Sequence, residues 1–321
     1  MLYLGNNDIP KIGLNWNRTI DVIEKAVKCL HSNDYAQPIK PYLRYRDLTN
    51  RIIAMPAFVG GDIDLAGIKW IASFPNNIKH NIPRAHSVVI LNETNTGVPL
   101  CIINTALLSI IRTASVSGLM LRYFLKARPL KNINVGIIGW GPIGRHHFKM
   151  CTELLNSKIN NIRLFDLRGI NLGEIDSPYK DKITVTRNWQ DAYRDADIFI
   201  TCTVSDAPYI DEEPKAGSLL LNVSLRDYKV DIYDYTKAII VDDWEEVCRE
   251  KTDIEMMHLE KGLSKEDTKS IVDVVCNDCL KDYPENESIM FNPMGMAVFD
   301  ISMGRYYFDK AKAMGIGLSL E

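Results

Sequence analysis

Val135-Gly136-Ile137-Ile138-Gly139-Trp140-Gly141-Pro142-Ile143-Gly144 is the stretch that decides the fold. A short apolar run, Val135–Ile138, ends in G-x-G-x-x-G and passes directly into residues with helical character from Pro142. Strand, glycine loop and helix in that order are the context in which this string cradles a dinucleotide pyrophosphate. Gly139 permits the tight turn, Gly141 lets the backbone approach the phosphates, and Gly144 allows the helix to pack close to the strand. The helix N-terminus offers unpaired N–H groups to the anion. Pro142 suits the first helical turn, where no N–H is needed, and Ile143 completes the loop.

Downstream, the apolar run Ile162–Phe165 ends at Asp166. An acid there accepts hydrogen bonds from the adenosine ribose hydroxyls and repels a 2′-phosphate, which favours NAD over NADP. Arg168, two residues on, softens that preference. The runs Ile183–Val185, Ile198–Thr201, Leu219–Val223 and Ala238–Val241 follow, separated by helical stretches. Short, nearly continuous apolar strands alternating with helices indicate a parallel sheet covered on both faces. The expectation is an α/β chain with a Rossmann dinucleotide-binding domain over residues 126–290. The competing reading, a glycine turn in another α/β protein with Asp166 capping a helix, leaves the order of strand, motif, helix and acid to coincidence.

Upstream, Ile20, Ile23, Val27 and Leu30, with Ala26 beside them, form one apolar helix face. Ile52–Met55, Gly67–Ile71 and Ser87–Leu91 read as strands, the last joined through Asn95-Thr96-Gly97 to Pro99–Ile103 as a hairpin. A long helix is expected from Thr105 to Lys126, closed by Arg128 and Pro129. Near the end, Asn292-Pro293-Met294-Gly295 leads into a helix through Asp300 to Lys312. Residues 1–125 with 291–321 are expected to form a second, mixed α+β domain for substrate binding and dimerisation.

A formal net charge of −3 gives no reason to expect nucleic acid or an anionic membrane as partner. Met1–Pro10 has no basic segment followed by an apolar core, so no secretory signal is read there. The weakly charged run Thr105–Leu121 is interrupted by Arg112 and is poor as a membrane span. Seven scattered cysteines suggest free thiols in a reducing compartment, with the cytoplasm as the default. Cys276 and Cys279 form a lone C-x-x-C without a second pair or nearby histidines, and no metal site is expected.

Isolated charges in apolar runs are the other signal. Arg112 is the only charged residue between Thr105 and Leu121, and Lys69 the only one between Leu65 and Phe74. Charges so placed face inward and need an anionic partner. The plain reading is an internal acid or a snorkelling side chain; the sharper one is the carboxylate of a ligand, which an arginine fork matches bidentately while a lysine adds a point charge. Arg44 is a third candidate. Asp227 follows the run Leu219–Val223, and the carboxyl ends of such strands border the ligand crevice. An acid there takes a proton from a substrate amine or orients a water, although a solvated loop aspartate fits the position as well. Asp242-Asp243 carries the same ambiguity. His146-His147 lies in the first turns of the loop helix, and His86 is a weaker candidate for the surroundings of Lys69.

Gly67-Ile68-Lys69-Trp70, Arg112-Thr113-Ala114-Ser115-Val116-Ser117, the glycine fingerprint and the segment ending at Asp227 together resemble the ornithine cyclodeaminase and mu-crystallin family of NAD(P)-dependent amino-acid enzymes. The resemblance spans essentially the whole chain. It implies that Lys69, Arg112 and Arg44 hold a substrate carboxylate, that Thr113 contacts the cofactor phosphates, and that Asp227 and Lys69 serve the chemistry at the amine carbon. It also implies a homodimer formed through the second domain. Further strings point to one branch of the family: Lys40-Pro41-Tyr42-Leu43-Arg44, Arg51-Ile52-Ile53-Ala54-Met55-Pro56, Ile200-Thr201-Cys202-Thr203-Val204, Val241-Asp242-Asp243-Trp244 and Asn292-Pro293-Met294-Gly295-Met296-Ala297. These imply Thr203 and Lys229 as further cofactor contacts. The ornithine enzymes carry a longer, glycine-containing turn before the lysine, so the shorter Asp227-Tyr228-Lys229 counts against simple cyclodeamination.

That branch implies net oxidation of N-(2-amino-2-carboxyethyl)-L-glutamate by NAD. Imine hydrolysis then gives 2-oxoglutarate and 2,3-diaminopropionate, a building block in siderophore biosynthesis. The alternatives are cyclodeamination of ornithine to proline, oxidation of a smaller amino acid such as alanine, and, from a different class, a non-catalytic NAD(P)-binding sensor.

Overall fold

Strands Arg51–Val59, Leu65–Ser73, Ala85–Asn92 and Pro99–Asn104 form an antiparallel meander in the computed structural model, which describes residues 1–321. Their register pairs Met55 with Lys69 and Lys69 with Val89, so these side chains share one face of the pleat. Met55, Ala57, Val59, Leu65, Val89, Leu91, Cys101 and Ile103 make that face the core. Leu2–Leu4 adds in parallel to Pro99–Asn104, Leu318–Ser319 closes that edge, and Tyr35–Ala36 and Tyr42–Leu43 pair with Arg51–Val59 at the other.

Helix Ala297–Met314 covers the core face and packs on helix Trp16–His31. Gly67 permits the approach: a Cβ there would lie 2.9 Å from Ile301 Cδ1 and 2.3 Å from the Ile90 carbonyl oxygen. Trp16–His31 starts at Asn15, whose side chain accepts from the Arg18 N–H at 2.9 Å. It buries Ile20, Ile23, Ala26 and Val27, while Leu30 stays partly exposed. The opposite face of the sheet carries Ile52, Ala54, Ile68, Trp70, Val88 and Ile90, all at least partly exposed.

The second sheet has eight strands, all parallel, in the order Ile183–Val185, Ile159–Phe165, Ile133–Ile138, Ile198–Thr201, Leu219–Asn222, Ile289–Asn292, Ala238–Val241, Thr268–Ser270. Every residue of Ile198–Thr201, Leu219–Asn222, Ala238–Val241 and Ile289–Asn292 is buried. This is the pattern of strands covered on both faces. The chain order turns back between Ile133–Ile138 and Ile198–Thr201, the switch point at which doubly wound sheets bind ligands.

The chain divides into two compact units, Met1–Ser115 with Gly295–Glu321 and Val116–Met294. The breaks between these units lie at 115/116 and 294/295, near the expected joints at 125/126 and 290/291. The first break falls inside helix Ala106–Ala127, and Ile289–Asn292 is a strand of the second sheet. Asn292 is tied into that sheet by the Asn222 amide at 2.8 Å and by donating to the Ile240 carbonyl at 3.3 Å. No helix is long and apolar enough to cross a membrane.

Candidate active site

The three loop glycines have three different surroundings. Gly139 has φ +89°, and a Cβ there would lie 2.4 Å from the Cys202 carbonyl oxygen. At Gly144 a Cβ would lie 1.9 Å from the Gly139 carbonyl oxygen. Gly141, by contrast, has nothing within 4 Å of its Cβ position. Two glycines are needed by the fold and the third opens onto space, as a cradle for phosphate requires. Helix Pro142–Leu155 starts from Gly141 without a side-chain cap, which leaves its N-terminus suited to an anion. Behind it, His147 is fully buried between the Ile143 carbonyl and the Ser117 hydroxyl, each 2.9 Å away. Burial pushes its pKa down to about 4.

Asp166 ends its strand as expected. One oxygen accepts from the Trp140 N–H of the loop at 2.7 Å, and the other from the Arg168 N–H at 2.9 Å and guanidinium at 3.2 Å. Burial works to raise its pKa, but these donors hold it below the usual carboxylate range. Of the remaining expected cofactor contacts, Thr113 lies in the first unit and donates to the Ser109 carbonyl at 2.8 Å. Lys229 forms a half-exposed pair with Asp211 at 2.6 Å.

Asp227 is fully buried. Thr203 donates to its Oδ1 at 2.5 Å and the Ser224 hydroxyl donates to its Oδ2. Burial raises its pKa against the pull of these hydroxyls. Thr203 itself is only half-buried. The turn is strained: Leu225 sits at φ +63°, a region a bulky side chain rarely adopts. Its N–H donates to Asn222 Oδ1 at 3.1 Å, and its carbonyl accepts from the Asp253 N–H at 2.8 Å. Asp253, which sequence reasoning missed, accepts from the Asn222 amide at 2.9 Å and from the Asp227 N–H at 3.3 Å. Burial, with the Asp227 charge nearby, pushes its pKa up to about 7. Asp242 is buried and accepts from the Met294 N–H at 3.0 Å, while Asp243 caps helix Trp244–Val247.

In the first unit, Lys69 and Arg112 are 1% and 6% exposed and meet at one acid, Asp300. Lys69 Nζ lies 2.8 Å from Asp300 Oδ2 and 3.3 Å from Ser109 Oγ, and Arg112 Nε lies 2.9 Å from Asp300 Oδ1. The internal partner weighed above therefore exists, but two cations share it. Burial and the Arg112 charge push Lys69 down to about 7, against the pull of Asp300. Asp300 is held below the usual range by Arg112 and Lys69, although burial alone would raise it. Asp300 was missed, yet it is the only charged residue between Gly295 and Gly304, the same signal that marked its two partners. Lys40 is a further missed cation, buried and donating to the Gly295 carbonyl at 2.7 Å. Arg44 is exposed, its guanidinium 5.3 Å from the centre of the Tyr42 ring. His86 belongs to the sheet face opposite Lys69, because it pairs with Ala72. No group of acids, histidines or cysteines has the geometry of a metal site, and all seven cysteines are free thiols.

Comparison with known proteins adds four findings. The profile of the Ornithine cyclodeaminase/mu-crystallin family matches residues 11–315. N-((2S)-2-amino-2-carboxyethyl)-L-glutamate dehydrogenase of Staphylococcus aureus is 33% identical, the match covering 100% of this chain and 98% of that protein. The fold matches a Thermococcus litoralis Delta(1)-pyrroline-2-carboxylate reductase in complex with NADH and L-proline (TM-score 0.84, 20% identity, 100% of both chains). It also matches an archaeal alanine dehydrogenase dimer with bound NAD (TM-score 0.85, 22% identity, 100% and 99% of the chains).

Proposed function

The chain belongs to the ornithine cyclodeaminase/mu-crystallin family, and from that premise we propose that it is an NAD-dependent amino-acid dehydrogenase whose substrate is N-(2-amino-2-carboxyethyl)-L-glutamate. The observation that carries the reading is the buried cluster in which Lys69 and Arg112 share the single carboxylate of Asp300. Two cations against one anion leave this cluster one positive charge in excess when Lys69 is protonated, which a substrate carboxylate neutralises. The full-length relative, a dehydrogenase of that compound, supports the choice of substrate.

NAD fits the residues present: Gly139, Gly141 and Gly144 with Pro142 and Ile143 would hold the pyrophosphate, and Asp166 the adenosine ribose. Bound there, NAD would supply the hydride acceptor that takes the glutamyl α-carbon to the imine level. Lys69 and Arg112 would bind the adjoining carboxylate. Asp227, with its pKa raised, acts as base for the water that adds to the imine carbon. Because Oδ1 is covered by the half-buried Thr203 hydroxyl, the proton reaches it through that hydroxyl. The carbon–nitrogen bond then breaks with return of the proton to nitrogen, and 2-oxoglutarate and 2,3-diaminopropionate leave. The sum is substrate, NAD and water giving both products, NADH and a proton. Supply of diaminopropionate to siderophore assembly in the cytoplasm is the corresponding cellular role.

The apolar open face of the first sheet, with Trp70 at its centre, is the surface we assign to a second copy of the chain. The alanine dehydrogenase of the same fold is a dimer.

The test is absorbance at 340 nm with protein, NAD and N-(2-amino-2-carboxyethyl)-L-glutamate, with ornithine and alanine in parallel. NADH with the first substrate alone, alongside 2-oxoglutarate, is the expected result. Proline from ornithine without net NADH sinks the reading in favour of a cyclodeaminase. NADH with alanine alone sinks it in favour of a simple dehydrogenase.

A further inference from the structure

We propose that Asp300 and Gly295 are the positioning residues of the carboxylate site, fixing which edge of the Arg112 guanidinium and which hydrogens of the Lys69 ammonium are left for a ligand. The inference rests on the reading of Lys69 and Arg112 as carboxylate-binding groups. Both residues come from one short segment that opens helix Ala297–Met314, with Asp300 in its first turn. A carboxylate at that end of a helix is favoured by the backbone dipole.

The geometry divides the work between them. Asp300 gives Oδ1 to the Nε edge of Arg112 and Oδ2 to Lys69. With its Nε edge engaged, Arg112 keeps its terminal nitrogens for a second partner. A Cβ at residue 295 would press on those nitrogens, 2.6 Å from Nη1, 3.2 Å from Nη2 and 3.3 Å from Cζ. Gly295 also has φ +88°. Any side chain there both strains the backbone and displaces the guanidinium. Asp300 sets the protonation of Lys69 as well. The charged groups facing Lys69 are Arg112, Asp300 and Lys40, and only Asp300 favours its ammonium. Ser109 adds one neutral acceptor. Without Asp300, burial and two like charges act on Lys69 unopposed, and the ammonium is lost at neutral pH.

Two measurements on the full chain test this. In the first, lysine side chains labelled with 13C at the ε-carbon are titrated by NMR with no ligand present. The Lys69 signal is assigned from its absence in Lys69→Gln. Asp300→Asn should move the Lys69 midpoint acidward by about one pH unit or more, and an unchanged midpoint in a folded Asp300→Asn chain overturns the proposal. The second is calorimetric titration with 2-oxoglutarate in the presence of NADH. Gly295→Ala should weaken binding about tenfold or more. Equal affinity in Gly295→Ala and the parent overturns the proposal, and this arm decides if Asp300→Asn fails to fold. A parent chain that binds no 2-oxoglutarate, while Asp300→Asn still shifts Lys69, sinks the substrate reading and leaves the positioning role supported by the first measurement.

Discussion

Replacing Gly141 and Gly144 by alanine, one at a time, separates the glycine needed by a ligand from the glycine needed by the fold. At Gly141 the backbone is extended (φ −77°, ψ −173°), which any residue adopts, and the new methyl meets nothing within 4 Å. The chain without cofactor should therefore melt within about 2 °C of the parent, as surface changes do. The cofactor is affected differently. A phosphate oxygen bonds a loop N–H at about 2.9 Å, and a methyl standing in the cradle holds it off. One charge-assisted bond lost costs about 1.5–3 kcal/mol, so NAD should bind about 10- to 100-fold more weakly. Gly144→Ala puts its methyl 1.9 Å from the Gly139 carbonyl oxygen and 3.1 Å from its carbon. Neither atom is the end of a flexible side chain. Helix and turn must part, at a cost of about 1–3 kcal/mol, or about 2–10 °C in Tm. Thermal melts without NAD, followed by calorimetric titration with NAD, read both effects. If Gly141→Ala melts as early as Gly144→Ala, or binds NAD as the parent does, the assignment of the open position to the pyrophosphate is wrong.

Three further outcomes follow from the same structure. Thr203→Val, which keeps the shape and removes the hydroxyl over Asp227, should lower kcat about 100-fold or more at unchanged NAD affinity, with Thr203→Ser restoring most of it; equal kcat in Thr203→Val and the parent excludes the relay. His147 has a folded pKa of about 4 against 6.5 in the unfolded chain, so only the unfolded chain takes up this proton between those values. Its contribution leaves stability level above pH 6.5 and lowers it as pH falls through that window, by about 3 kcal/mol at the bottom. Urea melts at several pH values should show His147→Gln lacking that part of the slope. Asp253, with its pKa raised to about 7, contributes the opposite sign in both chains and cancels in the difference. Finally, Trp70→Glu on the open sheet face should convert a dimer into a monomer by light scattering. A monomeric parent would refute the dimer.

What could be read in the sequence was local, and what could not was set by partners far along the chain. Gly139, Gly141 and Gly144 are legible because a turn, an approach and a close packing each constrain one residue in a fixed order. Continuous apolar runs reveal buried parallel strands for the same reason. The position of Ile289–Asn292 between Leu219–Asn222 and Ala238–Val241 is not legible, since periodicity marks a strand but not its neighbours. Lys69 and Arg112 stand out as charges in apolar runs, which says that each needs an anion but not where the anion is. Their partner lies 231 and 188 positions away, inside a helix whose other residues read as ordinary core. Asp300 carries the same mark, a single charge among apolar neighbours, so the useful question is whether such solitary charges add up to a neutral set. Here Lys69, Arg112 and Asp300 do not. Leu225 is the opposite case: nothing about a leucine announces φ +63°. The strain is imposed by Asn222 and Asp253 on either side of the turn, and it sets the start of the turn that delivers Asp227 to the hydroxyls of Thr203 and Ser224. Leu225 is the one apolar side chain among the non-glycine residues at positive φ, and the bonds on either side of the turn hold it there.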